Sequence, residues 1–214
     1  MFYFILGIIF ASFTACLSER LIYNQSLSGR SQCSTCQHPL QWYELIPLLS
    51  FIYQRGRCRQ CLTRIPAYLF VCELIGGLLA VHINQPLGLL IAFLLLGLSL
   101  QDFLTQTITP IFAWIVVTIL LPLQLLQQPD FIKLAGALLL LAIGFILVKQ
   151  NLLGSGDIPI ILILWLFFPL FWFSWALVIG ATIGIVSILI RKRHQLAFVP
   201  CLSIGYWVVA VIFN

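Results

Sequence analysis

From Pro66 onward the chain is a succession of apolar stretches, broken by short polar or helix-breaking clusters at Asn84-Gln85-Pro86, Gln127-Gln128-Pro129-Asp130, Gln150-Asn151 and Arg191 to Gln195. A backbone in lipid must satisfy its own hydrogen bonds, so stretches of this kind predict membrane helices. The breaks delimit spans at about 66–83, 86–101, 110–126, 131–148, 158–173, 174–190 and 197–213, several of them shorter than the roughly 20 residues of a perpendicular helix. The weakest break is at Phe173-Ser174, where Pro169 and a Trp/Phe-rich stretch also fit an interfacial belt. An earlier apolar run, Phe2 to Leu17, ends at Glu19-Arg20; it has no basic residue before it and no small-residue cleavage site after it, and reads as a first helix rather than a signal peptide. With 62% hydrophobic and 8% charged residues and a mean hydropathy of +1.10, the composition excludes an ordinary soluble domain. The expected fold class is an all-α polytopic membrane protein with about eight transmembrane helices.

Charge placement orients it. Of 11 basic residues, six arginines fall between Arg20 and Arg64, and Arg191-Lys192-Arg193 form a second cluster. The positive-inside bias puts residues 18–65 in the cytoplasm and both termini outside; eight spans then return the Arg191 cluster and Lys149 to the cytoplasm, with Lys133 the one exception. The basic residues therefore mark a membrane side. They are not interleaved with aromatics, so no nucleic-acid partner is expected.

Residues 18–65 form the one module of soluble composition, between helix 1 (1–17) and a seven-helix domain (66–214). It carries Cys33-Ser34-Thr35-Cys36 and Cys58-Arg59-Gln60-Cys61, two CxxC pairs with 21 residues between them. Two such pairs complete a tetrahedral sulfur shell suited to structural zinc. A module this small buries little apolar surface, so a metal staple supplies folding free energy that its core does not. Two disulfides are the alternative, disfavoured in a reducing compartment. His38 reads as a bystander, an alternate ligand being the other reading, Glu44 as a surface acid, and Arg55, Arg57 and Arg59 as a solvated cytoplasmic face or one turned to anionic headgroups or a partner.

Acids inside apolar spans are costly and mark candidate functional sites. Asp157 follows Gly154-Ser155-Gly156, where glycines permit a sharp turn and close approach, and precedes Ile158-Pro159, a helix start; its alternative role is an N-cap. Asp102 lies 55 residues earlier, and the topology brings both acids to the cytoplasmic ends of helices. Two carboxylates that meet cannot both ionise readily and share a proton, so one activates water while the other polarises a peptide carbonyl. Glu73 lies two turns into the second helix and reads as a buried structural hydrogen-bond partner. Cys16, Cys72 and Cys201 read as small hydrophobes.

The four-cysteine module with its Gln41-Trp42-Tyr43-Glu44-Leu45-Ile46-Pro47 and Arg55-Gly56-Arg57-Cys58 segments, followed by spans carrying Asp102 and the Gly154-Ser155-Gly156-Asp157 motif, resembles the type IV prepilin peptidase family. The resemblance covers most of the chain. It implies a membrane aspartic endopeptidase with Asp102 and Asp157 as catalytic residues, removing the short basic leader of prepilins or pseudopilins at the cytoplasmic face, after a glycine. It also implies, for many members with the cysteine module, N-methylation of the new terminus with S-adenosylmethionine; no glycine-rich fingerprint for that cofactor is present. Size and short loops look most like the peptidases serving competence pseudopili. The chain departs from the family pattern at Ile108-Thr109-Pro110, where the proline is displaced by one, and at Pro159, where a lysine is usual. Two other readings compete. A proton-coupled transporter predicts acids near the bilayer midplane and an internal repeat; a non-catalytic scaffold with a zinc module predicts Asp157 as a helix cap.

Overall fold

The computed structural model describes residues 1–127, 130–191 and 197–213. Among these the chain forms nine α-helices and one 3-10 turn, with two isolated β-bridges and no strand. It divides into two compact units, Met1–Asn84 and Gln85–Asn214.

The first unit is built on α1 (Phe2–Ile22) and α3 (Ala67–His82), which pack together. Their contact is lined by small residues, Gly7, Ala11, Ala15 and Ser18 on α1 and Gly76, Gly77 and Ala80 on α3, all buried. A Cβ added at Gly7 would meet the Ala80 Cβ and the Gly76 carbonyl oxygen at 2.5 Å, so the backbones approach as closely as glycine allows. The large residues Tyr3, Ile5, Ile9 and Phe13 of α1 are exposed, the arrangement expected of a helix facing lipid. The helix continues past Leu17 to Ile22, and Arg20 then gathers the following turn by donating to the carbonyls of Ser26, Leu27 and Gly29 at 2.8–3.1 Å. Between α1 and α3 lie the 3-10 turn Trp42–Leu45 and the short α2 (Leu49–Tyr53).

The second unit comprises α4 (Pro86–Thr105), α5 (Ile111–Gln127), α6 (Phe131–Lys149), α7 (Asp157–Phe167), α8 (Leu170–Arg191) and α9 (Phe198–Phe213). Pro86 occupies the first turn of α4, where its missing N–H has no helical partner to lose. Asp130 caps α6, accepting the N–H groups of Ile132 and Lys133. Helix α7 contacts α5, α6, α8 and α9, and Ile160, Ile163 and Leu164 on it have no exposed surface. Its near-uniform apolar sequence is that of a helix covered all round. Helices α4 and α9 are pinned by polar bonds: Ser99 donates to Ser203 at 2.6 Å, Tyr206 to the Gly88 carbonyl at 2.8 Å and Trp207 to the Ala92 carbonyl at 3.3 Å.

The helices fall where the sequence reading places them, but α1 and α4 run past the expected ends, to Ile22 and Thr105, and one break is displaced. The chain turns at Phe168-Pro169 and not at Phe173-Ser174, because a residue before proline is pushed out of helical geometry and Phe168 has φ −96 and ψ 151. This leaves α7 with 11 residues, about 16 Å long, and gives α8 22. The all-helical expectation holds. By length and composition, however, four of the described helices qualify as membrane spans: Phe2–Ile22, Pro86–Thr105, Phe131–Lys149 and Leu170–Ile190; the other apolar helices are shorter. Pro129, Lys192 and Arg193, used in placing turns and sides, lie outside the described residues.

Candidate active site and metal centre

The two CxxC segments fold into the same local turn. The Cys33 N–H donates to the His38 carbonyl and the Gln37 N–H to the Cys33 carbonyl, while Gln32 bridges Pro39. Twenty-five residues on, the Cys58 N–H donates to Thr63 and the Leu62 N–H to Cys58, while Arg57 bridges Arg64. Gln37 and Leu62 occupy the equivalent left-handed positions, with φ 56 and 59. The two turns face each other. Sγ separations are 3.8 Å for Cys33–Cys61 and 3.9 Å for Cys36–Cys58, and all four sulfurs lie within 4.8 Å of one another. A tetrahedral ion with metal–sulfur bonds of about 2.3 Å requires sulfurs about 3.8 Å apart, so the four cysteines form a cluster that can hold a metal ion. All four are free thiols.

The surroundings favour thiolate at part of the cluster. The Thr63 hydroxyl, 3.1 Å from the Cys61 sulfur, and the Thr63 backbone N–H hold the Cys61 thiol down to about 6, and the Cys36 and Thr35 amides lower that of Cys33. Cys36 goes the other way, to about 11: the His38 amide pulls it down, but desolvation and the neighbouring thiols outweigh that pull. His38 thus serves through its backbone, and its ring is not in the cluster.

All three acids of this unit have structural partners, Glu19 accepting from the Tyr68 hydroxyl at 2.6 Å. Glu44 is buried, contrary to the expectation of a surface acid: it closes a capping box by accepting the Gln41 N–H at 2.8 Å. Glu73 accepts the Leu48 N–H at 2.7 Å. Leu48 has φ 60 and ψ −50, a γ-turn closed by the Leu49 N–H on the Pro47 carbonyl, so the carboxylate of α3 fixes a strained turn of the module.

In the second unit Asp102 and Asp157 are both buried, 8% and 7% exposed, and close enough for their charges to interact. Asp102 lies in the last turn of α4 and its Oδ2 accepts the Val199 N–H at 2.9 Å, at the start of α9. Asp157 is the first residue of α7; the N-cap is Gly156, and the Asp157 Oδ2 reaches back to accept the Gly154 N–H at 3.2 Å. Each acid is held by one backbone N–H, which leaves acceptor capacity for a further group.

The glycines serve this geometry by their small size. A Cβ at Gly154 would lie 3.0 Å from the Asp157 Oδ2, and one at Gly156 would run into the side chain of Ile108. Gly156 itself has φ −77, an ordinary value, so it is space and not backbone freedom that requires glycine there. Ile108 belongs to the loop after α4, and buried Gln101 holds that loop by accepting from the Thr109 N–H at 2.9 Å and the Thr109 hydroxyl at 2.6 Å. The sequence reading had not singled out Gln101; an amide beside an acid in an apolar helix was the available signal. The Val199 amide had none. Pro159 is fully buried in the first turn of α7.

Fold and site together define a helical membrane protein that combines a four-sulfur module with two neighbouring buried carboxylates. The family model of the Bacterial Peptidase A24 N-terminal domain matches residues 5–85. Over 204 residues the chain is 31% identical to a Prepilin leader peptidase/N-methyltransferase of Aeromonas hydrophila, covering 84% of this chain and 70% of that one. Proteins of the same description from Myxococcus xanthus and Bacillus subtilis are 29% identical over 217 residues and 27% over 228. The first alignment covers 90% of this chain and 64% of the relative, the second 94% and 90%. No solved structure matches the chain significantly. The chain belongs to the prepilin leader peptidase/N-methyltransferase family.

Proposed function

We propose that this protein is a membrane aspartic endopeptidase that cleaves the leader from prepilins or pilin-like proteins, with Asp102 and Asp157 as the catalytic pair. The observation that carries the reading is the pair itself: two buried carboxylates from different helices, electrostatically coupled and each fixed by a backbone amide. Sharing one proton, the pair needs no covalent intermediate. The ionised carboxylate takes a proton from water as the hydroxide attacks the scissile carbonyl carbon, and the protonated carboxylate gives its proton to the carbonyl oxygen. In the collapse of the resulting gem-diol the first carboxyl gives its proton to the leaving nitrogen while the second takes one from a diol hydroxyl, so that the C–N bond breaks, an acid and an amine are released, and the pair again holds one proton.

The membrane frame of the proposal is eight spans, with the four shorter apolar helices crossing beside the four long ones. The cysteine module and both acids then face the cytoplasm, where a substrate's basic leader and hydrolytic water are at hand. The substrate's apolar helix lies in the bilayer. Zinc suits the module: sulfur separations of 3.8 and 3.9 Å fit its tetrahedral shell, and the ion's role is structural, since four sulfurs leave no open position. The relatives' description includes an N-methyltransferase, and we carry that second activity to this chain with S-adenosylmethionine as methyl donor.

The test is cleavage of a prepilin by the membrane-inserted full chain, comparing wild type with Asp157→Asn and reading the product N-terminus by mass spectrometry. Cleavage by wild type alone is expected, with one added methyl group reporting the second activity. Full cleavage by the variant would overturn the pair.

A further inference from the structure

Three arginines of the cysteine module, Arg55, Arg57 and Arg59, line one open surface cavity of about 600 Å³ with Tyr53, Gln54, Cys58 and Leu62. All three are exposed, whereas Cys58 between the last two is buried, so Arg57 and Arg59 share the outward side of the chain. Arg59 is already oriented. Its guanidinium donates to the Tyr43 hydroxyl at 2.9 Å and lies 5.6 Å from the centre of that ring. No carboxylate neutralises the group: among the described residues none of the three forms an ion pair, and the acids of this unit are engaged elsewhere, Glu44 with Gln41, Glu73 with Leu48 and Glu19 with Tyr68. Three guanidinium groups around one cavity, paired with no carboxylate among the described residues, make an anion site of the kind that recognises phosphate.

Apolar side chains also line the cavity. Tyr53 is 83% and Leu62 66% exposed, and Leu49 and Ile52 of α2 extend the apolar surface. A soluble phosphate compound gives these side chains nothing to bury against; a lipid surface does. Chain length also keeps the cavity near the bilayer. Leu62 is five residues before Ala67, the start of apolar α3, and so within about 18 Å of it even if fully extended. Arginines beside exposed aromatic and aliphatic residues match the headgroup layer, where phosphates overlie the hydrocarbon boundary.

We propose that Arg55, Arg57 and Arg59 form a binding site for the phosphate of an anionic lipid headgroup, with Tyr53, Leu62 and α2 resting in the bilayer interface. The site holds the four-cysteine module against the membrane surface. It has no part in peptide-bond hydrolysis, so it stands or falls independently of the peptidase reading.

The experiment follows hydrogen exchange of the segment 49–64 in the full-length protein in detergent, titrated with dioctanoyl-phosphatidylglycerol, dioctanoyl-phosphatidylcholine or inorganic phosphate. Protection is expected with phosphatidylglycerol and not with phosphatidylcholine. Neutralising all three arginines to glutamine should raise the half-saturating phosphatidylglycerol concentration on the order of 100-fold, from about fivefold per basic residue near a charged surface. The triple lysine variant retains the charges and should keep most of the response. An unchanged metal content in each variant shows that the module still folds. Equal protection by both lipids, or an unaltered titration in the folded glutamine variant, would overturn the site. Full protection by inorganic phosphate alone would overturn the lipid assignment.

Discussion

The Asp102 carboxylate accepts the backbone N–H of Val199 at 2.9 Å, across 97 residues of chain. This bond ties the last turn of α4 to the first turn of α9, where unpaired amides and the helix dipole favour negative charge. The same acid interacts electrostatically with Asp157 at the first turn of α7. A carboxylate proposed to act on substrate is therefore also a structural member of the fold, and substitutions at Asp102 should separate the two roles.

Asparagine keeps an oxygen able to accept from Val199 but cannot serve as acid or base. Asp102→Asn should insert and fold like wild type, with prepilin cleavage reduced at least ~100-fold, the lower end of what general acid–base groups contribute. Asp102→Ala should lose cleavage equally and also destabilise the second unit, by roughly 1–3 kcal/mol for a buried amide left without its acceptor. Cleavage rates and thermal unfolding, measured on both variants, check the separation; equal stability of the two would show that the Val199 bond contributes nothing.

Gly156 is required for lack of space. Gly156→Ala should be destabilising by about 1–3 kcal/mol, the usual cost of overpacking, because the new methyl group meets Ile108. Adding Ile108→Ala to that variant removes the obstructing atoms and should restore part of the lost stability. If the double variant is no better than the sum of the singles, the steric account is wrong.

Glu73 offers a different contrast. Glu73→Leu leaves the strained Leu48 turn without its acceptor, whereas Glu73→Gln keeps an accepting oxygen. Faster amide exchange at Leu48 is expected in the leucine variant, with near wild-type protection in the glutamine variant. Equal exchange in both would sink the proposed latch.

Helix positions were legible because apolar runs and polar breaks act locally. The misplaced break at Phe173-Ser174 shows the limit of that signal: Pro169 and the aromatic stretch entered only as an alternative interfacial belt, while the constraint of Pro169 on Phe168 decides the turn. The cysteine cluster was legible because CxxC spacing fixes geometry within one turn, and the structure repeats that turn twice. The aspartates stood out as charges in apolar helices. What holds them did not, since the Val199 amide carries no side-chain signature and Gln101 acts on a loop eight residues away. Glu44 was misread because a capping box depends on which backbone amide lies free, which composition does not reveal.

The four-cysteine cluster gives a pH-dependent prediction. Metal binding requires thiolates, so protons compete with the ion and affinity falls as pH drops through the thiol range. Cys61 resists this competition because Thr63 donates to its sulfur and holds its thiol down to about 6. Thr63→Val removes the hydroxyl and leaves the backbone N–H, so the Cys61 thiol should move back up. Near pH 6–7 more of it is then protonated, and metal affinity should fall by about 10-fold or more, the scale of outer-shell effects. At pH 9 ordinary thiols are also largely ionised, and the gap between variant and wild type should narrow. Competition with a chelator across this pH range, on the purified full chain, reads the effect; a gap that stays constant with pH would show that Thr63 acts on packing and not on the Cys61 proton.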